Sequence, residues 1–154
     1  MSEIDLDLKQ LRRDLNTFDK RTRKKILRKG LRKTSSQAVK DCKRQADTSL
    51  EIFSPKEDRP IEIGKLIKQS VGKKSKTYAN DDTVVFFVGV RQNFKKQRIS
   101  LNPAGFWADK LQKGEDGLPK DDFVAKSYFM NETAWMFSAV DEIRTIVHEE
   151  ISKI

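Results

Sequence analysis

One uninterrupted apolar run, residues 83–91, constrains the fold most, because the rest of the chain is strongly polar. β-Branched and aromatic residues dominate the run, so it predicts a β-strand rather than a helix. Side-chain alternation puts Val85 and Phe87 on one face and Val84 on the other. Since both faces are apolar, we expect a central strand covered on both sides, with Gly89 admitting a close neighbour.

The apolar content limits what this strand can be packed against. Hydrophobic and charged residues each make up 36% of the 154 residues, a small apolar supply for a free-standing globule. We therefore expect one domain, residues 1–154, that keeps long solvated faces or completes its core in an oligomer. No apolar run approaches the ~20 residues of a membrane span, and the acidic N-terminus does not resemble a signal peptide. With a single cysteine, Cys42, the sequence predicts an intracellular protein.

The positive charge is concentrated in one segment. Residues 12–44 hold 14 Lys or Arg and three Asp, a net charge of +11, so the total of +9 leaves −2 for the remainder. Apolar residues at helical spacing predict a long helix over residues 20–50, with Asp19 as its N-cap. Gly30 in mid-helix indicates close packing or a bend, and Cys42 is interpreted as a small buried residue on the apolar stripe.

The opposite face of this helix is basic. Such a face neutralises phosphates without reading sequence, or meets an acidic partner, or is merely solvated. The residues expected to face DNA or a partner are Lys20, Arg21, Lys24, Lys25, Arg28, Arg32 and Lys33.

The remaining patterns predict short elements on either side of the central strand. Residues 1–17 predict a short helical segment, and residues 66–71 a strand that pairs with the central strand as a hairpin. After the strand, Asn102 is the expected N-cap of a short helix that carries Phe106 and Trp107 inward.

At the C-terminal end, residues 123–125 predict a short strand, after which Ser127 caps a helix. The apolar stripe of that helix consists of Met136, Phe137, Val140, Ile143, Val147 and Ile151. The elements together predict an α+β fold, in which a small antiparallel β-sheet packs with the long basic N-terminal helix and the C-terminal helix.

Patterns typical of catalysis or cofactor binding are missing from the sequence. His148 is the only histidine, and no metal ligand follows it at the i+3 or i+4 position. Paired acids such as Asp121 and Asp122 stand in turns, where Asp caps backbone N–H groups. We therefore expect no enzyme activity, no cofactor and no metal site.

The order of motifs along the chain resembles one protein family. From the basic helix onward the sequence has Pro60, Gly64-Lys65-Leu66, Ser70-Val71, Val88-Gly89-Val90-Arg91, Phe106-Trp107-Ala108 with Gly114, and Ala125-Lys126-Ser127-Tyr128-Phe129. This order resembles the minor tail protein Z family of tailed bacteriophages, also described as tail-completion or neck proteins. The resemblance covers about residues 20–154. It departs from the family at Ile63, where Thr is usual, and in lacking the Arg-Pro of the last motif.

The resemblance implies a structural virion protein that forms a homo-oligomeric ring at the head–tail junction, with six-fold symmetry expected. Its partners would be further copies of itself, other neck and tail proteins, and genomic DNA in the lumen. It would be found in the virion, and in the host cytoplasm during assembly. Candidate residues for the interface between subunits are Val85, Phe87, Phe106 and Trp107.

A second function stays open at this point. The basic helix, residues 20–44, would suit a nonspecific nucleic-acid-binding protein that acts without forming a ring.

Overall fold

The computed structural model describes residues 3–78 and 83–153, with side chains from residue 8 onward. The described helices are α1 Glu3–Asn16, α2 Lys20–Gln45, α3 Ile63–Ser70, α4 Ala104–Lys113 and α5 Phe123–Ile151. The described strands are β1 Ile52–Ser54, β2 Arg59–Ile61, β3 Val71–Thr77 and β4 Val84–Val90. They form two antiparallel sheets of two strands each, β1 with β2 and β3 with β4. The α+β class expected from the sequence is confirmed, with a long helix near each end of the chain.

The chain divides into two compact units, each assembled from separate stretches. The first unit comprises Met1–Gln37, Lys74–Phe87 and Glu132–Ile154, and the second comprises Ala38–Lys73 and Val88–Asn131. The expectation of a single domain over residues 1–154 stays a prediction. Residues 1 and 2 of the expected N-terminal helical segment lie outside the described residues.

The core of the first unit joins α2 to the last turns of α5. Ile26, Ile146 and Val147 are nearly inaccessible to solvent, and Leu11 of α1 belongs to the same buried cluster. At Gly30, an added Cβ would lie 2.4 Å from Cγ1 of Ile143, so the close packing expected there is confirmed.

The start of α2 is fixed as the sequence predicts. The Asp19 carboxylate accepts the backbone N–H groups of Arg21 and Thr22 at 2.8 and 3.1 Å, and the Thr22 hydroxyl donates to it as well. The hydroxyl bond, followed by the backbone bonds, lowers the pKa of Asp19, as expected of an N-cap carboxylate. The helix ends at Gln45, short of the expected residue 50, because Asp47 folds the next residues into a turn by accepting the N–H of Ser49.

The core of the second unit forms around α3. Its buried side chains come from the end of α2, from β2, α3, the first residue of β3, α4 and the start of α5, and from two residues between elements: Cys42, Ala46, Ile61, Ile63, Leu66, Ile67, Val71, Ala104, Trp107, Leu111, Leu118 and Phe123. Cys42 is 1% exposed, which confirms its interpretation as a buried residue, and burial raises the pKa of its thiol.

Two short elements differ from the sequence expectation. The prediction of a strand over residues 66–71 is wrong. Ile63, Leu66 and Ile67 recur at helical spacing and all enter the core, so the segment forms α3 and the strand begins only at Val71.

The prediction of a strand over residues 123–125 is also wrong. Asp122 caps α5 by accepting the N–H of Ala125 at 3.1 Å, so the helix starts at Phe123. Ser127 is therefore a buried helical residue and not the cap. Likewise, Asn102 does not cap α4, whose N-cap position is Pro103.

The strand over residues 83–91 is confirmed as β4, but its expected surroundings are not. Within the described part of the chain, β3 is its one strand partner, so β4 is not a central strand. Its two faces are not both covered, since Phe87 is 54% exposed. No atom of the described residues lies within 4 Å of a Cβ built on Gly89, so they do not provide the close neighbour expected there.

Candidate interaction surfaces

The basic face of α2 is divided into rows by its contacts in the first unit. Lys24 donates to the Tyr78 carbonyl oxygen at 2.6 Å, and Arg28 donates to the Thr77 hydroxyl at 2.8 Å. This row holds the end of β3 against the helix. Lys24 and Arg28 are therefore hydrogen-bonded within their own chain.

A second row of α2 contacts α5. Lys33 forms an ion pair of 2.9 Å with Glu142, and the Lys29 ammonium lies 3.9 Å from Glu149. Lys25 and Lys29 also help to lower the pKa of Glu150, after the larger effect of its hydrogen bond from Lys153. These exposed pairs are expected to contribute little stability individually.

A ridge of positive charge lies between the two rows. Arg21, Lys25 and Arg32 follow one another at intervals of four and seven residues, which places them on a single line of the helix surface. All three are exposed, as is Lys20 at the start of the helix. We call Arg21, Lys25 and Arg32 the basic ridge.

Strand β3 extends the positive surface of the first unit. Lys74 and Lys76 are exposed on this strand, and the Lys76 ammonium lies 4.7 Å from the centroid of the Tyr78 ring. Because Lys24 contacts the main chain of Tyr78, the lysines of the strand adjoin the basic face of α2. Positive charge beside an exposed aromatic ring is the combination that nonspecific nucleic-acid surfaces use.

The four candidate interface residues are not equally accessible. Phe87 is exposed and Val85 is partly exposed on the same face of β4. Phe106 is 41% exposed, although the sequence predicted an inward position. Trp107 is 6% exposed, and its indole N–H donates to the Ser100 hydroxyl at 3.0 Å, so it is a core residue whose ring makes a T-shaped contact with that of Phe106.

Several large apolar side chains of α5 are exposed, including the two most exposed ones among the described residues. In the second unit, Phe129 is 77% exposed, Met130 71% and Tyr128 45%. In the first unit, Met136 and Phe137 of the same helix are 43% and 45% exposed, although both were expected inside. Scattered exposed apolar residues are ordinary, but several large ones on one helix mark an interaction surface.

The second unit contains a cleft of about 750 Å³ at the start of α5. Gly89 and Val90 line one side and Ala108 and Gln112 of α4 another. The aromatic side chains of the lining are Phe123, Tyr128 and Phe129, and the carboxylates are Asp109, Asp121 and Asp122. The described residues that line this cleft include three carboxylates and no Lys or Arg.

The carboxylates of the cleft already have partners in the chain. Asp109 pairs with Lys113 at 2.8 Å, Asp121 with Lys126, and Asp122 accepts from Gln112 at 3.0 Å. The Lys113 and Lys126 side chains are more than half exposed, so these bonds compete with water and are readily exchanged.

The sequence contained a signal for the exposed part of α5. Phe129 and Met136 precede Ile143 by 14 and 7 residues, so the three lie on one line of the helix, and Met130 and Phe137 each lie one residue further on. The apolar stripe that includes Ile143 and Val147 therefore continues toward the start of α5, where its side chains are exposed. From the sequence the stripe was begun only at Met136, and Met136 and Phe137 were expected to be buried.

Among the described residues there is no group of His, Cys, Asp and Glu side chains that could hold a metal ion. Likewise, none of the described helices combines the length and apolar character that a membrane crossing needs. Comparison with known proteins does not place the chain, since no family model, curated protein or solved structure matches it.

Proposed function

We propose that this chain is a structural subunit of a tailed bacteriophage, which forms a ring at the head–tail junction as a tail-completion or neck protein. The order of sequence motifs supports the phage assignment. The observation that carries self-assembly is the exposed apolar surface of α5, where Phe129 and Met130 are 77% and 71% exposed.

Self-association is energetically favourable because these side chains contact water in the single chain. Burying apolar surface contributes about 25 cal/mol per Å², and Met and Phe are among the residues that contribute most when buried. A chain with 36% hydrophobic residues that leaves six large ones exposed on one helix gains by associating with another chain. Phe87 and Val85 on β4 add a second exposed apolar area.

A localisation experiment tests the phage assignment itself. Gold-labelled antibodies against the chain should decorate the head–tail junction of particles made by the phage that encodes it. Label on the tail tip, on the capsid surface or on no particle would contradict the proposal.

A second candidate function is nonspecific nucleic-acid binding without a ring. The observation that favours it is the contact of Lys24 and Arg28 with the end of β3, which joins Lys74 and Lys76 to the basic face of α2. A monomer acting this way would bind duplexes of any sequence, with an affinity that falls steeply as salt rises. Fluorescence anisotropy on two unrelated duplexes across a salt series separates the two functions, because a ring subunit need not bind free DNA as a monomer.

A further inference from the structure

The cleft at the start of α5 has a composition suited to a cation with an apolar stem. Tyr128 and Phe129 present exposed rings, and Asp109 presents a carboxylate whose side chain is 58% exposed. A guanidinium or ammonium group gains from lying over an aromatic ring and near a carboxylate, and the methylene groups of Arg and Lys cover apolar surface.

The chain itself carries a surface complementary to this cleft. The basic ridge of α2 belongs to a segment of net charge +11, whereas the rest of the chain has a net charge of −2. Arg21 and Lys25 lie one helical turn apart and are exposed. Lys24, Arg28, Lys29 and Lys33 each make a hydrogen bond or ion pair with another element of their own chain, and the Lys25 charge acts on Glu150 of α5.

We propose that the basic ridge of one copy docks into the cleft of the next copy, with Arg21 and Lys25 reaching Asp109 and the rings of Tyr128 and Phe129. This inference rests on the proposed ring function and identifies the surfaces that adjacent subunits use. The occupant of the cleft is a second copy of this chain.

The two surfaces are different parts of the molecule, so the contact is head-to-tail. Head-to-tail contacts produce a closed ring when the rotation between copies closes, whereas a contact of one patch with itself stops at a dimer. In such a ring the charged side chains of the ridge contact the neighbouring subunit, so they are not accessible to DNA phosphates.

Charge reversal tests each surface separately. The donor variant is the double substitution Arg21→Glu, Lys25→Glu, and the acceptor variant is Asp109→Lys. All three side chains are exposed, so far-ultraviolet circular dichroism and the unfolding midpoint should stay near those of the unchanged protein. Asp109→Asn is a milder acceptor variant that removes the charge and places no second lysine near Lys113.

Sedimentation velocity at matched protein and salt concentrations measures the result. We expect the donor and acceptor variants to associate about tenfold or more weakly than the unchanged protein. Lys56→Glu, Lys95→Glu is the control for the donor, since it makes the same change in net charge on exposed residues outside α2. Glu51→Lys is the control for the acceptor, because Glu51 is exposed and does not line the cleft.

Mixing the donor variant with the neutral acceptor variant Asp109→Asn gives the most specific result, because Asp109→Lys would attract the reversed charges of the donor ridge. The donor variant retains its cleft and the acceptor variant retains its ridge, so one intact contact forms per pair. The mixture should yield a one-to-one heterodimer and nothing larger. A mixture that stays monomeric, or a donor variant that assembles like the unchanged protein, overturns this inference and leaves the ring proposal standing. An unchanged protein that stays monomeric at high concentration overturns both.

Discussion

At the scale of single residues, Gly30 shows how a missing side chain fixes the distance between two helices. An added Cβ there would lie 2.4 Å from Cγ1 and 3.2 Å from Cα of Ile143. Helix propensity favours Ala over Gly by about 1 kcal/mol, but overpacking a core costs about 1–3 kcal/mol. We therefore expect Gly30→Ala to lower the free energy of unfolding, measured by urea denaturation.

Gly89→Ala is the matched control for Gly30→Ala, because no described residue has an atom within 4 Å of the Cβ it adds. It should leave the unfolding free energy unchanged or raise it slightly. Equal stability of the Gly30→Ala variant and the unchanged protein would contradict the packing described for the first unit.

Glu57 makes the stability of the second unit depend on pH. Its side chain is 5% exposed and accepts the N–H of Leu101 and the guanidinium of Arg59, both at 2.9 Å. The bond from Leu101, and then those from Arg59, lower the pKa of Glu57. A lowered pKa means that the carboxylate stabilises the fold fully above its unfolded-state pKa of about 4.3. That stabilisation is lost as the pH falls through the lower folded-state value.

We expect Glu57→Gln to reduce the unfolding free energy by about 1–3 kcal/mol at neutral pH. The difference from the unchanged protein should shrink as the pH falls below about 4. Denaturant titrations over a pH series measure it, with Glu51→Gln as an exposed control. A difference that stays constant with pH would show that the charge of Glu57 does not matter.

At the scale of elements, the exposed apolar residues of α5 should contribute to association and not to folding. Phe129→Ala removes a side chain that is 77% exposed, so the unfolding free energy of the monomer should change by less than about 0.5 kcal/mol. Self-association should nevertheless weaken, as sedimentation velocity would show. Phe53→Ala, which changes a phenylalanine that is 59% exposed and outside the cleft, should leave association unchanged.

Leu66→Ala provides the opposite control for Phe129→Ala. Leu66 is fully buried in α3, so truncating it should cost about 2–5 kcal/mol of unfolding free energy. A loss of similar size from Phe129→Ala would mean that α5 is covered by its own chain.

Elements with a strong local signal were predictable from the sequence. The Asp19 cap and strand β4 each follow from side-chain chemistry within a few residues. The segment of α3 was mistaken for a strand because a short apolar run fits either period. Its helical state is decided by Ile63, Leu66 and Ile67 reaching a core made by distant residues.

The candidate surfaces were predictable in composition and not in accessibility. The sequence identifies the basic residues of α2, but the contacts of Lys24 and Arg28 with β3 depend on tertiary structure. An apolar stripe in the sequence does not indicate whether the residues that bury it belong to the same chain or to another chain. For this reason Trp107 was assigned to an interface and Phe137 to the core, whereas Trp107 is buried and Phe137 is exposed.

At the scale of the whole molecule, the segregation of charge should govern how association responds to salt. A contact between the basic ridge and the carboxylates of the cleft is screened over about 10 Å at 0.1 M salt. Apolar burial on α5 is not screened in this way. We therefore expect self-association measured by sedimentation to weaken between low and moderate salt and then to level off. Association that is indifferent to salt would indicate that the ridge takes no part.

The central claim is that this chain is one subunit of a closed ring. Native mass spectrometry of the 154-residue chain, with negative-stain electron microscopy of the same sample, tests it most directly. A closed ring predicts one dominant mass at a whole-number multiple of the 17.8 kDa chain, and annular particles of uniform diameter. A monomer at every concentration, or a ladder of masses without a preferred size, would contradict the claim.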